Sequence, residues 1–253
     1  MLRELSMELS NHSISYFQSS RLQGVLMEQI DSGYAEILHL QGLKPYSLAV
    51  RREKGRTFWY VRTLTDEAYE KIICVLRNPD FHSFKLKNIS ETFEILHKSV
   101  KEKSEKELMN DFYAGIGEMK YINILFETPT AFKSGGRYVI YPELKNVYFS
   151  LMNKYSAICE DANMLDQDLL EQLSENSEIV RYKLHSLSFP IEGIKIPAFM
   201  GEIGICISGP HTLASYANML CEFGEYAGIG IKTAMGMGSI KIERRERDDR
   251  QRT

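Results

Sequence analysis

The stretch Gly228-Ile-Gly-Ile-Lys-Thr-Ala-Met-Gly-Met-Gly238 holds four glycines, one lysine and one threonine in eleven residues. Such a loop lets the backbone approach a neighbour closely and turns N–H groups toward an anion, as a phosphate cradle does. The common nucleotide motifs do not fit it. A P-loop needs glycine before its lysine, and Ile231 precedes Lys232. A dinucleotide fingerprint needs a third small residue at 233, where Thr233 stands. Both motifs also run from strand to helix. Here His211 to Phe223 has helical spacing and precedes the loop, while Ser239 to Ile242 alternates like a strand and follows it. The reversed order argues against a nucleotide-cofactor site. A plainer use of the same glycines is local: a helix C-cap at Gly228 and Gly230, a tight turn or bulge at Gly236-Met-Gly238. The two uses are compatible.

Outward from the loop, the chain reads as two similar halves. Leu2 to Leu9 alternates as a half-buried strand, and Ser13 to Ile30 has Leu22, Val25, Leu26 and Ile30 on one helical stripe. A loop carrying His39 and Pro45 follows. Tyr46 to Arg52 and Thr57 to Thr63 flank Glu53-Lys-Gly-Arg56 as a β-hairpin. Thr65 caps a helix to about Leu76, and Phe84 to Leu96 is extended. The order β-α-β-β-α-β is ferredoxin-like. It repeats as a strand at Tyr121 to Glu127, a helix at Glu143 to Cys159, strands at Ile179 to Phe189 and Ile194 to Ile207, the helix at His211, and the last strand. The fold class is therefore α+β, two tandem ferredoxin-like (RRM-like) domains with a C-terminal glycine-rich loop. The charged run Lys101 to Glu107 and the breaker Ala114-Gly-Ile-Gly117 place the boundary within 99–119. The expected division is 1–110, 111–243 and a charged, disordered tail at 244–253.

The composition is that of a globular chain, 43% hydrophobic and 26% charged over 253 residues. It has no apolar run long enough to span a membrane, and Met1 to Glu8 lacks a signal-peptide core. Cys74, Cys159, Cys206 and Cys221 are scattered in apolar surroundings, as buried thiols in a reducing cytoplasm would be. The net charge of −3 speaks weakly against a nucleic-acid partner. Its distribution weakens that objection. Glu160 to Glu178 holds acids and no bases, whereas Lys44, Arg51, Arg52, Lys54, Arg56 and Arg62 face a single acid, Glu53, in their stretch. Affinity for a polyanion follows local basic surface more than the sum, although a charge run is more often a solvated face.

Four stretches carry a family resemblance. EFGEYAGIGIKTAMGMGSIKI (222–242) resembles the glycine-rich C-terminal motif of the RAMP superfamily. FETPTAFKSG (126–135), KIPAFMGEIGICISGP (195–210) and DSGYAEILHLQGLKPYSL (31–48) resemble further segments of one branch, in the expected order. That branch is the CRISPR-associated endoribonucleases that cut repeat RNA into guide precursors, and the similarity is greatest to members accompanying type III systems.

The resemblance implies a site. Cutting RNA without metal needs a base for the ribose 2′-hydroxyl, a cation or N–H array for the phosphate, and an acid for the leaving 5′-oxygen. Histidine suits the proton transfers, with an unperturbed pKa of about 6.5. Six histidines are present, and a lone histidine is more often structural than catalytic. The segment matching the family's catalytic histidine contains His39, which is assigned as general acid or base. Lys44 is the candidate for steadying the phosphate and Tyr34 for positioning. The family's loop packs on the RNA backbone, so Lys232 and Thr233 are expected at phosphate, with Gly228, Gly230, Gly236 and Gly238 shaping the approach. Lys133 and Arg137 flank Ser134-Gly-Gly136 as a second flexible basic loop. The hairpin arginines Arg51 and Arg52, with Lys195 and the Arg181/Lys183 pair, complete the candidate RNA contacts. Of Phe58, Trp59 and Tyr60, at least one is core, because neighbours on a strand alternate faces.

No metal is expected, since H-E-x-x-H, EF-hand and clustered Cys/His patterns are missing from the sequence, and no cofactor is implied. The implied partner is the repeat of a CRISPR precursor RNA, met in the cytoplasm by a monomer or homodimer, with transient contact to a type III effector complex. The alternatives are a non-cleaving RNA-binding RAMP subunit of such a complex, and an enzyme using the loop for a nucleotide.

Overall fold

The structure is a computed structural model that describes all residues except 12, 41, 88, 105, 109–119, 159–165, 192 and 244–253. The expected tail, Cys159, His12 and most of the expected boundary lie outside the described residues.

The first half contains β1 (Leu2–Leu9), α1 (Ser19–Gln29), α2 (Ser32–Leu40), β2 (Tyr46–Glu53) and β3 (Arg56–Thr63). A helical stretch follows as α3 (Asp66–Ala68), a π-helical turn (Tyr69–Ile73) and α4 (Cys74–Arg77). Then come β4 (Ser83–Lys85) and β5 (Thr92–Lys103). The sheet order β2-β3-β1-β5-β4 is antiparallel in every pairing. It is the ferredoxin-like arrangement, with β4 added at one edge. Thr65 caps the helical stretch as expected, accepting from the Ala68 N–H at 3.1 Å. The core beneath the sheet includes Leu5, Met7, Trp59, Val61, Leu22 and Leu26. Trp59 is fully buried, edge-on to Phe81 and Phe84, so it cannot stack on a nucleobase.

Three segments depart from expectation. The stretch expected as one extended segment over 84–96 is two paired strands, β4 and β5, and β5 runs on to Lys103. The helix expected over 13–30 begins as a 3₁₀ turn (Tyr16–Gln18), because Ser15 and Gln18 form a capping box there. His39 lies on helix α2 rather than in a loop. Asp31 starts that helix by accepting from the Tyr34 N–H at 3.0 Å, and Tyr34 and Leu38 form its buried stripe.

The second half contains β6 (Tyr121–Thr130), β7 (Phe132–Ser134), β8 (Arg137–Val139), α5 (Leu144–Ser156), α6 (Gln167–Glu175), β9 (Ser177–Ile191), β10 (Ile194–Ile207), α7 (His211–Ala227), a 3₁₀ turn (Thr233–Met235) and β11 (Ile240–Glu243). Its sheet order, β11-β6-β10-β9, repeats the ferredoxin-like permutation. The expected flexible loop at 133–137 is the β7–β8 hairpin. Gly135 and Gly136 have φ of +54° and +78°, the positive pair that a two-residue hairpin turn needs. Among the described residues no helix is long and apolar enough to cross a membrane.

The halves meet through specific bonds. The Ser47 hydroxyl donates to the Tyr226 carbonyl at 2.5 Å, Arg62 donates to Ser239 Oγ at 3.1 Å, and Lys103 reaches Glu222 at 2.7 Å. Arg51 pairs with Glu127. Leu2, Leu64 and Leu108 pack into the second core.

Candidate active site

The site begins at the C-terminal turn of α2. His39 is exposed there, while Tyr34 and Leu38 of the same helix turn inward. Two residues past that turn the chain folds back through Gly42 and Leu43. Lys44 then donates its ammonium to the His39 carbonyl at 3.5 Å. The half-buried Lys44 is thus tied to the helix end that carries His39, where backbone carbonyls favour a cation. Burial first, and then the positive charge of Lys232, hold the Lys44 ammonium below the usual lysine range. That second cause brings the glycine-rich loop to the first half of the chain. Of the expected residues, His39, Lys44 and Lys232 therefore share one locality.

The loop reaches this position by close packing. Its 3₁₀ turn lies against α1 and β2. Lys232 has φ +56° and ψ +32°, a left-handed conformation that few side chains adopt. Its carbonyl accepts from the N–H groups of Met235 (2.9 Å) and Met237 (3.3 Å), which fixes the bend and leaves the side chain exposed. On the inner side, Met237 packs with Ala131, Phe189, Ile191, Ile196 and Ala198. The Ile231 N–H donates to the Ala131 carbonyl at 3.0 Å, so the loop is joined to the root of the β7–β8 hairpin. Lys133 and Arg137 are exposed on that hairpin, and Lys195 is exposed beside Ile196 at the start of β10. These three cations border the apolar cluster under the loop.

Several expected contacts are corrected by their surroundings. Tyr34 is in the core and cannot position a substrate: its hydroxyl has no hydrogen-bond partner, and burial, then the Glu67 charge, push its pKa up to about 12. Arg51 is committed to Glu127 and Glu53, with its guanidinium 3.9 Å from the Tyr60 ring centroid. It joins the two halves rather than offering a free cation, whereas Arg52 is exposed. Thr233 is buried, with its methyl toward Gly228, so its methyl serves the packing of the loop. Gly228, Gly236 and Gly238 are buried too, and Gly230 is half-buried. Their missing side chains make room for protein: an added Cβ would run into the Ile229 carbonyl at Gly238 and into Ser19 at Gly236. Gly228 ends α7 at φ +69°, the expected helix stop.

Sequence reasoning missed two residues beneath the loop. Lys154 of α5 is buried and donates to the Gly228 carbonyl at 2.9 Å and the Ala227 carbonyl at 3.5 Å. Ser150, one turn earlier, accepts from the Gly230 N–H at 2.8 Å. A signal existed: Val147, Leu151 and Lys154 recur at helical spacing, which puts a lysine on an apolar stripe.

Comparison with known proteins agrees with this architecture. Residues 124–240 match the family model described as CRISPR-associated endoribonuclease Cas6. A curated CRISPR-associated endoribonuclease Cas6 of Streptococcus thermophilus is 38% identical over 230 residues, covering 89% of this chain and 91% of that protein. One of Mycobacterium tuberculosis (strain CDC 1551 / Oshkosh) is 33% identical over 223 residues, covering 88% and 70%. The solved structure of Thermus thermophilus Cas6 superposes with a TM-score of 0.68 at 18% identity, covering 96% of this chain and 98% of that one, a likeness of fold. The extent of the match to the curated proteins, together with the tandem ferredoxin-like fold, shows that this chain belongs to the Cas6 family of CRISPR-associated endoribonucleases.

Proposed function

We propose that the chain binds the repeat of a CRISPR precursor RNA and cuts it once per repeat, without a metal ion, to release guide RNAs. The observation that carries this reading is the exposed His39 on the helix end to whose backbone Lys44 is bonded, with the exposed Lys232 of the second half brought to the same region by the packing of its loop on α1 and β2. Two like charges held together by separate parts of the fold call for an anion between them. A phosphodiester supplies it.

In this mechanism His39 exchanges protons with the reacting oxygens. A base removes the 2′-hydroxyl proton, and the oxygen attacks the adjacent phosphorus. The bond from phosphorus to the 5′-oxygen breaks, and that oxygen takes a proton. The products are a 2′,3′-cyclic phosphate and a 5′-hydroxyl. Lys44 and Lys232 stabilise the added charge on the phosphoryl oxygens. Lys133, Arg137, Lys195 and Arg52, all exposed, extend the cationic surface along the RNA backbone.

The test uses wild type and His39→Ala with end-labelled repeat RNA in EDTA, reading cleavage and binding together. The expected result is one cut by wild type, and in the variant a rate lower by about 10²- to 10⁴-fold with binding retained. Cleavage that survives in His39→Ala refutes the assignment. Cleavage by wild type only when a divalent ion is restored refutes the metal-free route. Binding without cleavage by wild type indicates a non-cleaving RNA-binding subunit.

A further inference from the structure

Beneath the glycine-rich loop lies a polar contact with no counterpart in the chemistry above. Helix α5 buries Leu144, Val147, Tyr148, Leu151, Met152 and Tyr155, and on the same face it buries Lys154 at 8% exposure. An ammonium in such a place is expensive to desolvate. Burial pushes its pKa down to about 7. A methionine would fill the same space without that cost. What a methionine lacks is a set of N–H donors, and Lys154 spends its donors on two backbone carbonyls. One belongs to Ala227, the last residue of α7, and the other to Gly228, the first residue of the loop. Both carry the negative end of the α7 dipole. One turn away, Ser150 accepts from the Gly230 N–H at 2.8 Å. A single face of α5 thus grips the end of α7 and the start of the loop at three backbone groups, directly before Ile231 is fixed to Ala131 and Lys232 takes its left-handed bend.

We infer that Lys154 and Ser150 are positioning residues, which hold the start of the glycine-rich loop so that Lys232 stands at the cleavage site. The inference rests on the reading of Lys232 as a phosphate contact. Neither residue touches RNA in this arrangement: the Lys154 ammonium ends under the loop, not on its outer face. Loss of the grip leaves the segment between the end of α7 and the Ala131 anchor held only by the buried Ile229 and its N–H bond to the Gly238 carbonyl, and Lys232 is displaced. Misplacing a charge-stabilising group lowers the chemical step more than it lowers binding, because the remaining exposed cations still hold the RNA.

The test compares full-length wild type with Lys154→Met, which keeps length and apolar volume but removes the donors. Ser150→Ala and Ser150→Thr accompany it, the second retaining the hydroxyl acceptor. Backbone hydrogen exchange is followed over 227–239, and single-turnover cleavage is measured at saturating RNA alongside the dissociation constant. The expected outcome for Lys154→Met is faster exchange confined to the loop and a rate lower by about tenfold or more. The dissociation constant should change less than the rate. Ser150→Ala follows in the same direction, and Ser150→Thr restores wild-type values. Unchanged loop exchange and rate in a folded Lys154→Met overturn the inference. So does loosening spread evenly through the second sheet, which would mark Lys154 as a packing residue. If Lys154→Met does not fold, the two Ser150 variants decide. Should wild type fail to cut RNA, the functional reading fails, and loop exchange alone judges the grip.

Discussion

Gly236→Ala tests how the loop is docked. The residue has φ +95°, and a methyl there falls on the Cβ and Oγ of Ser19, the buried first residue of α1. Two costs add. An alanine in a left-handed conformation costs about 1–2 kcal/mol. Forcing a methyl into the packed contact with Ser19 costs about 1–3 kcal/mol more. The serine cannot swing away cheaply, since its hydroxyl is bonded to the Tyr16 carbonyl. The sum is about 2–5 kcal/mol, and the structure says which part belongs to which atom. In a Ser19→Gly background the clashing atoms are gone, and the next neighbour of the new methyl is the Cα of residue 19 at 3.6 Å, an ordinary contact. Gly236→Ala should then cost only the backbone share of about 1–2 kcal/mol. The assay is a double-mutant cycle in urea, followed by the fluorescence of Trp59, the single tryptophan, which is buried in the core that α1 covers. A coupling of about 1–3 kcal/mol is expected from the relieved overlap. A coupling below about 0.5 kcal/mol, within the additivity of independent sites, refutes the docking of the loop on α1.

Two further outcomes follow from the charges. Lys232→Ala should weaken RNA binding about equally for all sequences and flatten the salt dependence by about 0.7 for a single-stranded contact, read from dissociation constants across salt concentrations. An unchanged slope would remove Lys232 from the phosphate contacts. Lys154 makes folding stability depend on pH. Its folded pKa is about 7, below the ordinary lysine value of 10.5, so between those limits the unfolded chain binds the proton that the folded chain lacks. Stability therefore gains from this group as pH rises from about 7 toward 10, at most about 1.4 kcal/mol per unit, and the burial penalty is fully present below about 7. Urea titrations of wild type and Lys154→Met across pH 6–10 should diverge in that window, and parallel curves would count against a buried ammonium.

The architecture was legible because its signals are local. Alternation in Leu2 to Leu9 and the Thr65 cap lie within a few residues of what they determine, and the structure has both. Helix α2 was hidden because Asp31-Ser-Gly33 has the composition of a turn, although Asp31 acts as a helix start. The fate of charged side chains depends on distant residues. Arg51 looked free in its hairpin, yet its partner Glu127 is 76 positions away. The glycines show the same limit: composition says that a side chain is missing, not whether RNA or the protein's own backbone fills the space. Here Ser19 and the Ile229 carbonyl fill it.

That outcome changes what the loop contributes. If its glycines faced a ligand, the anion site would be the loop's backbone, and the first half of the chain would be a bystander. Because they face protein, the loop is a rigid arm whose exposed contribution is Lys232. Its partners, His39 and Lys44, sit on the other ferredoxin-like unit. The site then exists only while the two units are docked, and Arg51–Glu127, Arg62–Ser239, Lys103–Glu222 and Ser47–Tyr226 become part of the functional apparatus without touching substrate. Docking brings Lys232 near Lys44, whose ammonium is held below the usual lysine range by burial first and by the Lys232 charge second. The interface bonds hold the two lysines near each other, and under the proposed function an RNA phosphate would enter between them. Binding the substrate and tightening the docking of the two units are on this reading one event.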